Sequence, residues 1–189
     1  MPRSYVVDDP QKGVFLLDRE VHMSEEILRD EYRKIFAKCW IYVGHGSELK
    51  KPGDFVTRKV AGRPVIFVRN QKGDVEVLFN TCRHRGALVC ADRKGNARRF
   101  FCVYHGWIYG NDGELQRVPG DEAYTSAFDK GTLALKKPAK VENYRDFWFM
   151  TLNPDIEPLK DYLGKATEYL DLVIDQSPSA QMEVLPGTQ

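Results

Sequence analysis

A chain of 189 residues, 42% hydrophobic and 29% charged, has apolar material for one good core, or one domain plus part of another. Its 28 basic and 27 acidic residues leave a net charge of +1, so nothing global points to nucleic acid or an anionic membrane. No apolar run approaches the roughly 20 residues of a membrane span, and residues 1–10, with Arg3, Asp8 and Asp9, lack the apolar core of a signal peptide. A reducing cytoplasm is therefore expected, where four cysteines are too few for a disulfide framework. Any cysteine that clusters with histidine then reads as a metal or redox residue.

The first periodic segment is "SEEILRDEYRKIFAKCW". Ile27, Leu28, Tyr32, Ile35 and Phe36 recur at helical spacing. Ser24 is placed to cap this helix, and Glu25 and Glu26 suit its positive end. From Trp40 the pattern changes. "DFVTRKV", "RPVIFVRN" and "DVEVLFN" are short β-rich runs separated by "AG" and "QKGD", which read as turns. "RRFFCVYH" and "GWIYG" follow, and "NDG" at 111–113 turns into "ELQRVP". "LALKKPAKVENY" and "FWFMTLN" read as two more strands. The expectation is an antiparallel all-β module over about 40–153.

After Pro158 a helical stripe returns, from Leu159 through Tyr162, Leu163, Ala166, Tyr169, Leu170 and Val173 to Ile174. It stops near Ser177-Pro178, and "AQMEVLPGTQ" opens like a strand. The fold class expected is mainly β, with one α-helix on each side of the module. Both helices carry apolar stripes that need covering, by the module or by a domain outside this chain.

Two stretches carry the chemistry. "NTCRHRG" holds Cys82 and His84, and "FCVYHGW" holds Cys102 and His105, with 17 residues between the two pairs. Each pair sits where a strand ends and a turn begins, so two such turns side by side would bring two thiolates and two imidazoles to one centre. Zinc takes such a set tetrahedrally. A Rieske [2Fe–2S] cluster takes two cysteines on one iron and two histidines on the other. Cys-x-His is a short spacing for one zinc and suits a two-iron group, so the spacing favours the cluster.

With those residues in view, "CRHRG…CVYHGW" resembles the Rieske motif of aromatic-ring-hydroxylating oxygenase α subunits. "CWIYVGHGSEL", "KPGDFVT", "LFNTCRHRGALVC", "GNARRFFCVYHGWIYGNDGELQRVP" and "DYLGKATEYL" are similar to that family too, so the likeness runs from about Ile27 to Tyr169. The resemblance implies that Cys82 and Cys102 bind one iron, and His84 and His105 the other. It implies a mononuclear Fe(II) held by two histidines and a carboxylate in a second domain. It also implies a ferredoxin or reductase as electron donor, an α-subunit trimer with or without β subunits, and an aromatic substrate. On that reading residues 39–156 form the Rieske domain. Residues 1–38 would pack with the catalytic domain, and 157–189 would be a helix and the start of that domain. One departure matters. Only His22 and His45 remain beyond the four cluster candidates, and no histidine follows His105, so this chain cannot assemble the second iron site itself. It reads as an N-terminal portion that carries electrons.

Around the candidate ligands, Arg83 and Arg85 suggest charge compensation or docking of an acidic donor, against a plain solvated pair. Gly86 and Gly106 allow left-handed backbone and an N–H close to sulfur, or serve as plain turn residues. High-potential Rieske proteins, which this loop resembles, carry a disulfide where Ala87 and Tyr104 stand here, and a serine where Trp107 stands. The expectation is a potential near the low end of the Rieske range, about −150 mV. Cys39 and Cys90 read as buried apolar residues, His45 as a hydrogen-bonded structural histidine and His22 as surface. Trp40, Phe100, Phe101, Trp148 and Phe149 read as core. Two other functions compete: a stand-alone Rieske ferredoxin-type carrier, which the added segments at both ends argue against, and a zinc-binding structural module.

Overall fold

The structure is a computed structural model, which describes residues 4–185. An N-terminal hairpin, β1 (Val6–Asp9) and β2 (Val14–Leu17), precedes helix α1 (Glu25–Glu31). The Ser24 hydroxyl accepts the Ile27 N–H, as a capping residue does. The helix then widens into a π-type turn, Tyr32–Phe36, and ends at Ala37. Tyr32 and Phe36 pack ring to ring at 5.6 Å, and Tyr32 lies against Gly62 in the turn between two later strands.

The module follows: β3 (Ile41–His45), β4 (Asp54–Val60), β5 (Arg63–Arg69), β6 (Val75–Phe79), β7 (Lys94–Asn96), β8 (Arg99–Phe101), β9 (Ile108–Gly110), β10 (Leu115–Arg117), β11 (Lys140–Tyr144) and β12 (Phe147–Thr151). All pairings are antiparallel, in sheets ordered β6-β5-β4-β7, β10-β9-β8 and β11-β12-β3. The mainly β architecture is the one expected. β1, β2, β3 and β7 were not expected as strands, and Leu133–Ala139, expected to open a strand, ends a 3-10 turn at Leu133 and is irregular from there to Lys140.

β5 explains how the central sheet holds a second sheet on each of its faces. Val65, Ile66, Phe67 and Val68 are all fully buried. Ile66 and Val68 join one apolar cluster with Leu78, Phe100, Trp107 and Tyr109. Val65 and Phe67 join the other, with Val43, Val77 and Met150. Successive strand residues point to opposite faces, so a continuous apolar run belongs to a strand covered on both sides. One face of the central sheet carries the β8–β10 layer with both candidate cysteines. The other carries β3, β11 and β12.

The C-terminal stripe is two helices, α2 (Leu159–Leu163) and α3 (Ala166–Ile174), broken at Gly164. They dock on the β11–β12 corner. Leu159 and Ile174 are buried, the Tyr144 hydroxyl donates to Asp171 at 2.7 Å, and Arg145 bridges Asp171 and Asp175. Arg145 and Asp146 both have positive φ, 49° and 71°, a conformation costing roughly 1–2 kcal/mol per non-glycine residue. The Arg145 ion pairs and an Asp146 bond from the Trp148 indole offset that cost. Leu28 and Ile35 of the first helical segment, and Tyr169, Leu172 and Val173 of α3, remain exposed. The strand expected to open within 180–189 is absent over 180–185, and the remainder lies outside the described residues. Trp40 and Phe100 are core as expected, Trp148 and Phe149 are half-buried, and Phe101 is exposed.

Candidate metal centre

Cys82 and Cys102 open two turns with the same backbone. The Cys82 N–H donates to the Ala87 carbonyl at 2.8 Å, and the Gly86 N–H to the Cys82 carbonyl at 3.0 Å. In the second turn the Cys102 N–H donates to Trp107 at 2.9 Å, and Gly106 to Cys102 at 2.9 Å. Gly86 and Gly106 occupy the fifth position of each turn with φ of 77° and 71°, where any Cβ is strained. Their N–H groups thus close the turns onto cysteine carbonyls. The histidine stands third in one turn and fourth in the other, so Tyr104 occupies the place that His84 has in its partner.

The turns bring the four candidates together in two tiers. Both cysteines are buried, at 4% and 2% exposure, while His84 is half-buried and His105 exposed. The imidazole centroids are 4.6 Å apart. Trp107 stacks under His84 at 5.0 Å with planes 7° apart, and Tyr104 covers His105 at 3.9 Å. The indole does not occupy a serine-like role toward sulfur; it sets the plane of His84.

His84 Nδ1 is buried and has no hydrogen-bond partner. Such an atom is costly unless something binds it. Burial, then the charges of His105 and Arg85, lower the His84 pKa, so the ring stays neutral with a lone pair to offer. Burial raises the Cys102 thiol, and Cys82 beside it raises it further. A tetrahedral zinc needs four donors on one point, whereas a two-iron cluster asks the protein for two per iron. The donor set fits the cluster.

Two further residues were not anticipated. The Tyr109 hydroxyl accepts the Arg83 N–H at 3.0 Å and lies 3.3 Å from Cys82 Sγ. Burial, then the Cys82 neighbour, push its pKa well above the usual phenol range, so it keeps a proton to donate. The signal was in "GWIYG", since strand alternation puts Tyr109 on the face of Trp107, and a buried tyrosine needs a hydroxyl partner. Asn80 is also buried. Its carbonyl accepts the Val89 and Cys90 N–H groups at 3.0 and 2.9 Å, and its amide donates to Cys90 O at 2.7 Å. It pins the two ends of the first ligand loop together.

The other side chains fall where expected, with one qualification. His45 is buried, bonded to Ser47 and packed on Phe147, and His22 is exposed. Cys90 is buried, but Cys39 only half so. Arg85 is exposed, and Arg83 is half-buried with its Nε unpartnered.

Residues 39–143 match the family model of the Rieske [2Fe–2S] domain, and the chain belongs to that family. The relatives narrow the kinship. The chain is 38% identical over 179 residues to the anthranilate 1,2-dioxygenase large subunit of Acinetobacter baylyi, covering 94% of this chain and 38% of that one. It is 36% identical over 188 residues to the toluate 1,2-dioxygenase α subunit of Pseudomonas putida, covering 98% and 41%. The chain therefore spans about two fifths of the length of these curated relatives. Among solved structures, naphthalene 1,2-dioxygenase from Rhodococcus sp. bound to indole superposes with a TM-score of 0.78 at 36% identity, over 82% of this chain and 36% of that one. A quaternary ammonium Rieske monooxygenase superposes at 0.74 with 31% identity, over 82% and 45%. No helix among the described residues is long and apolar enough to cross a membrane.

Proposed function

We propose that this chain is the electron-transfer portion of an aromatic-ring-hydroxylating dioxygenase large subunit. Cys82 and Cys102 would hold one iron of a [2Fe–2S] cluster, and His84 and His105 the other. When bound, the cluster supplies one-electron transfer. The observation that carries this reading is the pair of matching turns, with two buried thiols beneath two imidazoles, one of them with a buried, unbonded Nδ1.

The chain's own residues tune and shield the centre. Trp107 and Tyr104 set the planes of the two imidazoles, Tyr109 offers a proton to the Cys82 sulfur, and the β8–β10 layer keeps water from the thiols. His105, at the exposed end, is the natural exit for an electron. It would lead to a mononuclear iron in the rest of the subunit, where an aromatic substrate would be dihydroxylated with dioxygen. A ferredoxin or reductase would supply the electrons. An α-subunit trimer would bring His105 to a neighbour's iron, and the exposed residues of 1–38 and 157–189 would pack on the catalytic domain.

The competing reading is a stand-alone ferredoxin-type carrier. The flanking segments weigh against it, because the likeness to large subunits extends across 94–98% of the chain and not only the β module. Iron, sulfide and zinc analysis with electron paramagnetic resonance of the reduced protein tests the proposal. Two irons and two sulfides per chain, with a Rieske-type signal lost in His84→Ala and His105→Ala, are expected. One zinc and no sulfide would overturn it.

A further inference from the structure

Beside the cluster turn lies a cleft of about 250 Å³, lined by Arg63, Phe79, Thr81, Cys82, Arg83 and Lys136. Arg85, on the same turn, is exposed nearby. Among the described residues none of Arg63, Arg83, Arg85 and Lys136 forms an ion pair with a carboxylate. This is not for want of acids, since the chain has 27 for 28 bases. Lys137, one residue along, pairs with Glu76. The Arg63 guanidinium lies over the Phe79 ring, 5.7 Å from its centroid, and Arg83 Nε is buried with no partner. Unpaired cations crowded at one place repel each other, and an anionic partner relieves that repulsion.

The surface beside His105 has different chemistry. Phe101, Val103 and Tyr104, beside His105, are 57%, 89% and 58% exposed. Apolar exposure suits a lasting contact, whereas electron carriers that must come and go use small, charged interfaces steered by the field. The two sides of the centre are therefore built for different partners.

We propose that the cleft lined by Arg63, Arg83 and Lys136 is the docking site of an acidic one-electron carrier protein, which delivers its electron on the Cys82 side. This rests on the Rieske reading above and adds the face and charge of the donor. The carrier's cluster or flavin is oxidised by one electron and the chain's cluster reduced by one, with no atom transferred.

The test uses the full chain with its cluster, in native form and as Arg63→Glu, Lys136→Glu and the double variant. Reduction is followed by stopped flow with two donors: a reduced acidic plant-type [2Fe–2S] ferredoxin, and photoreduced deazaflavin as a small donor that needs no docking face. With ferredoxin at low salt, the second-order rate is expected to fall at least tenfold in the double variant. Salt should slow the native chain and not the double variant. The deazaflavin rate should stay close to native, and the midpoint potential, which the added negative charge lowers, is measured alongside so that a loss of driving force is separated from a loss of docking. Should either Glu variant fail to fold, Arg63→Gln with Lys136→Gln gives the same pattern with a smaller fall. Native-like ferredoxin rates in the variants, or an equal loss with deazaflavin, would overturn the docking site. A native chain that takes up no cluster overturns the Rieske reading instead, and shows itself before any donor is mixed.

Discussion

The Tyr109 hydroxyl stands 3.3 Å from the Cys82 sulfur while accepting the Arg83 N–H, so toward a deprotonated, metal-bound sulfur it can act only as the donor. A donor to a ligating sulfur stabilises the reduced, more negative cluster and raises its potential. Tyr109→Phe removes that bond without changing the ring. A bond worth about 1 kcal/mol more in the reduced state corresponds to roughly 40 mV for one electron. The potential is expected to drop by that order in a redox titration, with cluster content unchanged. An unchanged potential would mean that the hydroxyl serves only the Arg83 N–H.

Asn80 is expected to control how firmly the first ligand turn is held. Asn80→Ala leaves two buried N–H groups and one carbonyl without partners, a loss of about 3 kcal/mol. Urea denaturation should show that loss, and iron release to a chelator should be faster than in the native chain. Native-like stability would mean that water replaces the amide.

Gly86 and Gly106 separate backbone strain from crowding. Alanine at either must adopt positive φ, at about 1–2 kcal/mol. A Cβ at Gly86 meets open space, while one at Gly106 lies 3.0 Å from Pro119 Cγ. Gly106→Ala should therefore destabilise more than Gly86→Ala in parallel denaturation curves. Equal losses would show that Pro119 gives way freely.

The clasp on α3 should release in acid. The Arg145 guanidinium, and then the Tyr144 hydroxyl, hold the Asp171 carboxyl below its ordinary 3.8. A depressed folded pKa makes the stabilisation complete above the ordinary value, and it is lost as pH falls below 3.8 through the folded one. Amide protection factors of α3 should fall in that range in the native chain, and already be low at neutral pH in Asp171→Asn. Protection unaffected by either change would leave Leu159 and Ile174 as the whole attachment.

Some of this was open to reading in one dimension. Short β-rich runs and turn residues marked β4, β5, β6, β9, β10 and β12, because residue type and turn chemistry are local properties. β7 escaped because "KGN" has no apolar pattern; it is a strand only because Asp54–Val56 of β4 lies alongside to pair with it. Phe101 looked like core by composition, yet it ends exposed beside the cluster turn. Tyr109 and Asn80 looked like ordinary strand and loop residues until burial required partners for their polar atoms.

The sequence alone carried the proposal of the ligand set. Cysteine and histidine type, number and spacing are coordination chemistry, and that chemistry holds whatever the surrounding chain does. Only the tertiary structure decided which polar groups meet the sulfurs, that Trp107 lies beneath His84, and that Arg63, Arg83 and Lys136 share a cleft with Cys82 and have no carboxylate partner among the described residues. Those relations join residues from separate strands and turns, brought together by the burial of β5 on both faces.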